Sequence, residues 1–277
     1  MKFTIFGATG FIGSHVAKHL SSEGHQILCP SRDFWSKHNN LLEKENLENV
    51  IYCIGMTANF RNDLTGTIDA HVSLLNHLFK FYELESITYL SSTRVYESAL
   101  STNEISRLLI NPTASEQVYN VSKLTAESLC LALCPTAKII RLSNVYGAEF
   151  KSKNFLSSVF REATNQKKVT FHTSPNSAKD YVSIDDVTKL VSVIVTQGQN
   201  KIYNVASGEN TENRTISDYL RTQNVNVDYA TDAPEWKFIP IDNSKIKNEF
   251  GFNPQRLEDN LPKLYEYYLQ RSKNGSN

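Results

Sequence analysis

MKFTIFGATGFIG, residues 1–13, is the stretch whose reading decides the fold. Residues 2–6 read as a short apolar strand. Gly7-Ala8-Thr9-Gly10-Phe11-Ile12-Gly13 then places glycines at the first, fourth and seventh positions of a turn, ahead of a helical pattern over 14–20. Strand, glycine turn and helix N-terminus together make a phosphate cradle. Glycine tolerates the tight turn and lets backbone N–H groups approach a pyrophosphate, which the helix end also favours. Glycine spacing alone is a weak signal, and a plain tight turn in an α/β domain is the simpler reading. Placed between a strand and a helix, it marks a dinucleotide-binding unit. Gly7, Thr9, Gly10, Phe11, Ile12 and Gly13 are the expected cofactor contacts.

Outward from this unit, apolar runs alternate with helical patterns. Ile27-Leu28-Cys29-Pro30 is a second strand and Asn49-Val50-Ile51-Tyr52-Cys53-Ile54-Gly55 a third. A helix over 69–82 precedes the strand Ile87-Thr88-Tyr89-Leu90-Ser91, and a helix over 115–132 precedes Lys138-Ile139-Ile140-Arg141-Leu142. This rhythm predicts an α/β chain with a doubly wound parallel sheet. After Gly147 the pattern changes to a helix over 155–164, a short strand Val169-Thr170-Phe171 and a helix over 185–196 that Ser183 or Asp185 can cap. The strand Ile202-Tyr203-Asn204-Val205, ended by Gly208, precedes two or three short helices and a Pro-containing segment, 233–241. The expected organisation is a dinucleotide-binding domain over 1–147, with 180–205 returning to the same sheet. A smaller substrate lobe takes 148–179 and 206–271, and a polar tail, 272–277, frays.

At 277 residues the chain is long enough to bury a substantial core. Lys and Arg total 29, as do Asp and Glu, with no long basic run, so neither nucleic acid nor an anionic membrane is an expected partner. No apolar stretch approaches the roughly 18 residues of a membrane span, and the first strand begins where a secretory leader would lie. Four cysteines are too few for a disulfide framework. Cys29 and Cys53 are read as small hydrophobes in strands, Cys130 and Cys134 as structural residues on one helix face, and no metal site is expected. The expected compartment is the cytoplasm.

Tyr119 and Lys123 lie four apart on one helical face. A lysine ammonium beside a phenol favours the phenolate, which makes a tyrosine usable as general acid or base near neutral pH. Such a pair also occurs as an ordinary surface contact. Ser91-Ser92-Thr93 adds a second signal, because it falls at the C-terminal end of a predicted strand, where open α/β sheets bind ligands. A hydroxyl there can hold a substrate oxygen while Tyr119 exchanges its proton; the plainer reading is strand-end capping. Ile54 and Gly55, which close the third strand, and Ser91 are expected beside the cofactor.

With these motifs in order, the chain resembles the extended short-chain dehydrogenase/reductases of the NAD-dependent epimerase/dehydratase (nucleotide-sugar) family, along almost its whole length. GATGFIG at 7–13 is similar to that family's cofactor turn, Ser91-Ser92-Thr93-Arg94-Val95-Tyr96 to its strand end, and Tyr119 to Lys123 to its Tyr-x-x-x-Lys. Arg141-Leu142-Ser143-Asn144-Val145-Tyr146-Gly147, the segment from Lys179-Asp180-Tyr181 to Asp186-Val187, Tyr203 to Gly208 and Phe250 to Pro254 continue the likeness. The resemblance implies a Rossmann-like sheet with a C-terminal substrate lobe, a nucleotide-sugar substrate and a homodimer through two helices of each subunit, including the Tyr119 helix. Tyr119 becomes the acid/base. Lys123 holds the nicotinamide ribose and depresses the tyrosine pKa, and Ser92 binds the reacting oxygen, with Thr93 able to share that contact. Asn144, Lys179 and Lys237 fall where relatives touch the sugar nucleotide, although a polar loop role is the plain alternative for each, and relatives carry arginine at the last two.

Departures from the family pattern refine this reading. Where NAD enzymes place a carboxylate after the second strand, this chain has Ser31 and Arg32. Serine plus arginine suits a 2′-phosphate and favours NADP, while Asp33 keeps NAD open. Hexose dehydratases carry Asp-Glu where Thr93-Arg94 stands, so 4,6-dehydration is not expected. Glu97 replaces a common glycine, and His71, at a position often held by asparagine, is read as packing. Reduction of a keto-sugar nucleotide therefore leads, epimerisation with retained NAD follows, and a silent cofactor-binding protein is the third reading, against which the intact Ser92, Tyr119 and Lys123 speak.

Overall fold

The computed structural model describes residues 1–36, 44–56 and 60–274. The chain builds strands β1 (Lys2–Phe6), β2 (Gln26–Leu28), β3 (Asn49–Tyr52), β4 (Ser86–Ser92) and β5 (Lys138–Leu142). It then leaves for β6 (Asn144–Tyr146), β7 (Lys168–Phe171) and β8 (Ala178–Ser183), and comes back as β9 (Ile202–Val205). The main sheet has the order β9-β5-β4-β3-β1-β2, parallel throughout. The Rossmann-like fold read from the sequence is therefore the fold of the chain. β8 stands apart from this sheet, between β6 and β10 (Asn210–Glu212), while β7 pairs with β11 (Asn226–Tyr229).

Apolar side chains of these strands fill both faces of the sheet. On one face Phe3, Ile5, Leu90, Ile140 and Val205 pack against α1 (Phe11–Ser22) and α6 (Ile184–Gln197) through Val16, Leu20, Val187 and Val191. On the other, Phe6, Val50, Tyr52, Tyr89 and Ile139 pack against α3 (Leu74–Phe81) and α4 (Val118–Leu133) through Leu75, Leu78, Ala126 and Cys130. Each large apolar side chain so buried contributes roughly 1.5–3 kcal/mol. A separate core joins α5 (Phe155–Gln166), α7 (Asn213–Thr222) and α9 (Leu257–Lys273) over β7 and β11. Ser183 caps α6 by accepting the Asp186 N–H at 3.0 Å.

Several boundaries differ from the sequence reading, each for a local reason. β2 ends at Leu28, so Cys29 is exposed; it is not the strand hydrophobe expected. Cys53 lies just past β3 and is partly buried. The helix expected over 69–82 starts earlier as α2 (Leu64–Ile68), because Asp63 accepts the Gly66 N–H at 2.8 Å and caps it. It then widens into a π-helical turn, Asp69–Ser73, that carries His71. The last helix is long, held by Leu257, Leu261, Leu264, Tyr265 and Tyr268, and runs to Lys273 into the stretch expected to fray; 275–277 lie outside the described residues, as does 57–59 of the loop after β3. Among the described residues no helix is long and apolar enough to cross a membrane.

One buried ion pair fastens α4 to the sheet. Arg141 on β5 donates to Glu127 on α4 at 2.6 and 3.1 Å, and both side chains are 4 % exposed. A second Arg141 nitrogen donates to the Tyr96 hydroxyl at 2.7 Å, which donates to Asn204 on β9 at 2.9 Å. Arg141→Met strands the Glu127 carboxylate without its cation. It is expected to lower unfolding stability by about 3–5 kcal/mol, read as a shifted urea midpoint. A loss below about 1 kcal/mol would show that the pair holds nothing together.

Candidate active site

The glycine turn is built for an anion. Gly7 has φ +82°, and a Cβ there would sit 2.9 Å from the backbone of Cys53 and Ile54. A Cβ on Gly13 would run into the Gly7 carbonyl, which already accepts the Gly10 N–H at 3.0 Å. α1 therefore opens at Phe11 with Gly10 as its N-cap, and no side chain caps it. Thr9 and Gly10 are exposed, Phe11 and Ile12 partly buried. Bare backbone at a helix N-terminus fits a pyrophosphate, and a dinucleotide cofactor suits this cradle. Ser31 and Arg32 are exposed beyond the end of β2, where the Ser31 carbonyl accepts the Phe34 N–H at 3.1 Å.

Ser92, Tyr119 and Lys123 meet at the C-terminal edge of the sheet because β4 ends where α4 begins its first turns. Ser92 Oγ accepts the Arg94 N–H at 3.2 Å, and the hydroxyl is near enough to the Tyr119 phenol to draw its pKa down. Lys123 Nζ donates to the Leu90 carbonyl at 2.9 Å and lies 4.8 Å from the centre of the Tyr89 ring. A Cβ on Gly55 would lie 3.5 Å from Lys123 Nζ and 3.6 Å from His71 Nε2, so Gly55, with the partly buried Ile54 before it, forms one wall of the same space. Ser91 is turned away: its hydroxyl donates to Glu127 behind the sheet edge.

The electrostatics correct one expectation. Burial raises the Tyr119 phenol above its ordinary value, and the groups that draw it back are the Ser92 hydrogen bond and the charge of Arg94, not Lys123. The Lys123 ammonium is itself pushed down to about 7 by burial, against the pull of Glu127. Desolvation outweighs the charge effect because Lys123 is spent on a carbonyl and an aromatic face.

Sequence reasoning missed several residues that complete this space. His71 is buried, with Nδ1 2.8 Å from the Ser122 hydroxyl, Nε2 accepting the Met56 N–H at 3.2 Å, and its ring edge-on to Tyr119 at 5.1 Å. Burial lowers its pKa to about 2, so the ring is neutral. Phe60 packs against Tyr119 with ring centres 4.8 Å apart and the planes tilted by 50°. Arg94 pairs with Glu97 at 3.2 Å, and Glu97 also accepts from Gln117 and Asn120, which explains a carboxylate where relatives carry glycine. The signals in the sequence were the two departures, at Glu97 and at His71.

The expected substrate residues divide. Thr93 opens the 3₁₀ turn Thr93–Tyr96 directly after Ser92. Asn144 donates to the Asp180 carbonyl at 2.8 Å. Lys179 lies 4.8 Å from the centre of the Phe155 ring, and burial, then the charges of Arg94 and Arg61, lower its pKa, which places it on the same cleft. Lys237 pairs with Glu235 at 3.0 Å on the exposed edge beside Ala178. Among the described residues no group of three His, Cys, Asp or Glu side chains is arranged to hold a metal.

The lowered Lys123 pKa has a measurable sign. The unfolded chain, with lysine near 10.5, binds this proton more tightly than the folded one, so stability rises with pH between about 7 and 10.5. Relative to Lys123→Met, nucleotide-free wild type is expected to gain about 2 kcal/mol from pH 7 to pH 9 in urea unfolding. Parallel pH profiles would show that the ammonium keeps its ordinary proton affinity.

Residues 3–206 match the model of the NAD dependent epimerase/dehydratase family. A dTDP-D-glucose 4,6-dehydratase of Dictyostelium discoideum is 26 % identical over 254 residues, 74 % of this chain and 58 % of that protein. A putative UDP-glucose 4-epimerase of Methanocaldococcus jannaschii is 24 % identical, over 78 % of this chain and 80 % of its own. The chain spans 58 % of the first and 47 % of a GDP-mannose 3,5-epimerase of Oryza sativa subsp. indica, so only part of those proteins is represented. Among solved structures, the NDP-hexosamine 5,6-dehydratase TunA superposes with a TM-score of 0.81 at 19 % identity, covering 99 % of both chains. RMD from Pseudomonas aeruginosa complexed with NADPH gives 0.78 at 20 % identity, covering 97 % of this chain and 100 % of that one. At such identities these structures speak for the fold, and the family match over most of the sequence carries the assignment: the chain belongs to the NAD-dependent epimerase/dehydratase family.

Proposed function

We propose that the chain is an NAD(P)-dependent oxidoreductase of nucleotide-activated sugars that reduces a keto-sugar nucleotide with Tyr119 as general acid. The observation that carries this reading is the meeting of Ser92, Tyr119 and Lys123 beside Gly55. A bound nicotinamide dinucleotide supplies the hydride chemistry; Gly7, Thr9, Gly10, Phe11, Ile12 and Gly13 would hold its pyrophosphate, and Ile54 and Gly55 would border its far end. Ser92 Oγ orients the substrate oxygen. Tyr119 Oη, beside Ser92, gives that oxygen its proton, and the Arg94 charge stabilises the phenolate left behind. Lys123, anchored by the Leu90 carbonyl, has further N–H groups for ribose hydroxyls. Thr93, Asn144, Lys179 and Lys237 are assigned to the sugar nucleotide.

Ser31 and Arg32 support NADP, since no carboxylate stands at Ser31 and Arg32 is exposed to meet a 2′-phosphate. The second reading, an epimerase that retains NAD, is supported by neighbours such as MoeE5 in complex with UDP-glucose and NAD. Thr93 and Arg94 offer no carboxyl group for hexose dehydration. A homodimer is proposed through α2 and α4, where Leu64, Ile68 and Val121 are exposed. Four free cysteines suit a reducing compartment such as the cytoplasm.

Mass spectrometry of small molecules released on denaturation, paired with cofactor titrations, tests the reading. The expected result is no retained dinucleotide, with NADPH bound at least about tenfold tighter than NADH and Arg32→Ala removing that margin. Stoichiometric retained NAD would transfer the assignment to an epimerase. On the substrate so identified, Tyr119→Phe is expected to lower kcat by about 10²–10⁴-fold while dinucleotide still binds. Unchanged turnover would remove Tyr119 from the chemistry.

A further inference from the structure

Two guanidiniums, those of Arg61 and Arg94, gather on the Phe60 ring that packs against Tyr119. Arg61 and Arg94 both lie over the Phe60 ring, with guanidinium carbons 4.5 and 5.1 Å from its centre. That ring packs against Tyr119 at a tilt of 50°. The charges of both guanidiniums also lower the pKa of Lys179. Glu97 engages one edge of Arg94 through Nη2 and Glu116 lies near it, but Arg94 Nε is buried and finds no hydrogen-bond partner among the described residues. A buried guanidinium N–H left without an acceptor is a costly arrangement unless a ligand provides one.

The position defines the acceptor. Arg94 stands two residues after Ser92 and its charge acts on the Tyr119 phenol, so the guanidinium lies in the neighbourhood of the group proposed to transfer the proton. An anion satisfying it must sit on the sugar close to the reacting carbon. A planar guanidinium matches a carboxylate in paired hydrogen bonds, and the exposed Arg61 can close over it from the Phe60 loop. We infer that Arg94 and Arg61 form a carboxylate subsite, and that the sugar of the substrate is a hexuronate or a derivative keeping that acid. This rests on the nucleotide-sugar reading above and narrows it.

Isothermal titration tests the inference with NAD- or NADPH-loaded protein. The probes are hexose and hexuronate pairs on uridine, thymidine and guanosine diphosphate, with each free nucleoside diphosphate. On the carrier that binds, the hexuronate is expected to bind about 10- to 100-fold tighter than the hexose. Arg94→Met should collapse that ratio to near one, and Arg61→Met, an exposed change that spares folding, should reduce it. Equal wild-type affinities, or a preference that survives both variants, would overturn the subsite. So would an Arg94→Met loss of equal size for the free nucleoside diphosphate, since the guanidinium would then serve the phosphates. Failure of every nucleoside diphosphate and sugar conjugate to bind would instead sink the nucleotide-sugar reading beneath it.

Discussion

The Arg141–Glu127 pair is the constraint on which the active site depends. It joins the middle of α4 to β5 in a buried setting, where an unpaired charge on either side is prohibitive. Glu127 also takes the Ser91 hydroxyl, so the end of β4 and the face of α4 that carries Tyr119 and Lys123 are held in one register. Tyr96, Asn204 and Glu104 extend the network to β9 and to the turn that carries Arg94. Ser92, Tyr119 and Arg94 are thereby tied to one framework, to which Phe60 and His71 add packing against Tyr119.

The second theme is charge management near Tyr119. Lys123 is buried against a carbonyl and a ring, which drives its ammonium toward neutrality, and His71 is kept neutral beside it. Positive charge enters the site from Arg94 and Arg61, on the turn after β4 and the loop after β3. Asp180 lies nearby, but Ser207 and Gly208 N–H groups and the Ser207 hydroxyl bind its carboxylate, fastening the loop after β9. Arg94 keeps Glu97 as its carboxylate partner, while Arg61 is exposed at the same ring.

Much of this was legible in the chain. Residues 2–6, 138–142 and 202–205 are strands as read, because their apolar runs are buried on both faces of a parallel sheet and leave no other solution. The glycine turn was equally plain, since Gly7 and Gly13 occupy places that admit no side chain. Cys29 was misplaced because strand length at a sheet edge is set by neighbouring strands, and β2 pairs only with β1. The π-helical turn at His71 was invisible because nothing in a helical periodicity announces one extra residue.

Local sequence by itself determined the order of the main strands, the glycine turn and the candidate hydroxyls Ser92 and Tyr119, because each is carried by residues within a few positions of one another. Tertiary structure alone decided which charge governs Tyr119. Residue spacing pointed to Lys123, four positions along the same helix, yet folding spends that lysine on Leu90 and brings the charge of Arg94, on the turn after β4, to act on the phenol. Electrostatic influence depends on distance and desolvation in the folded state, and neither can be read from separation along the chain.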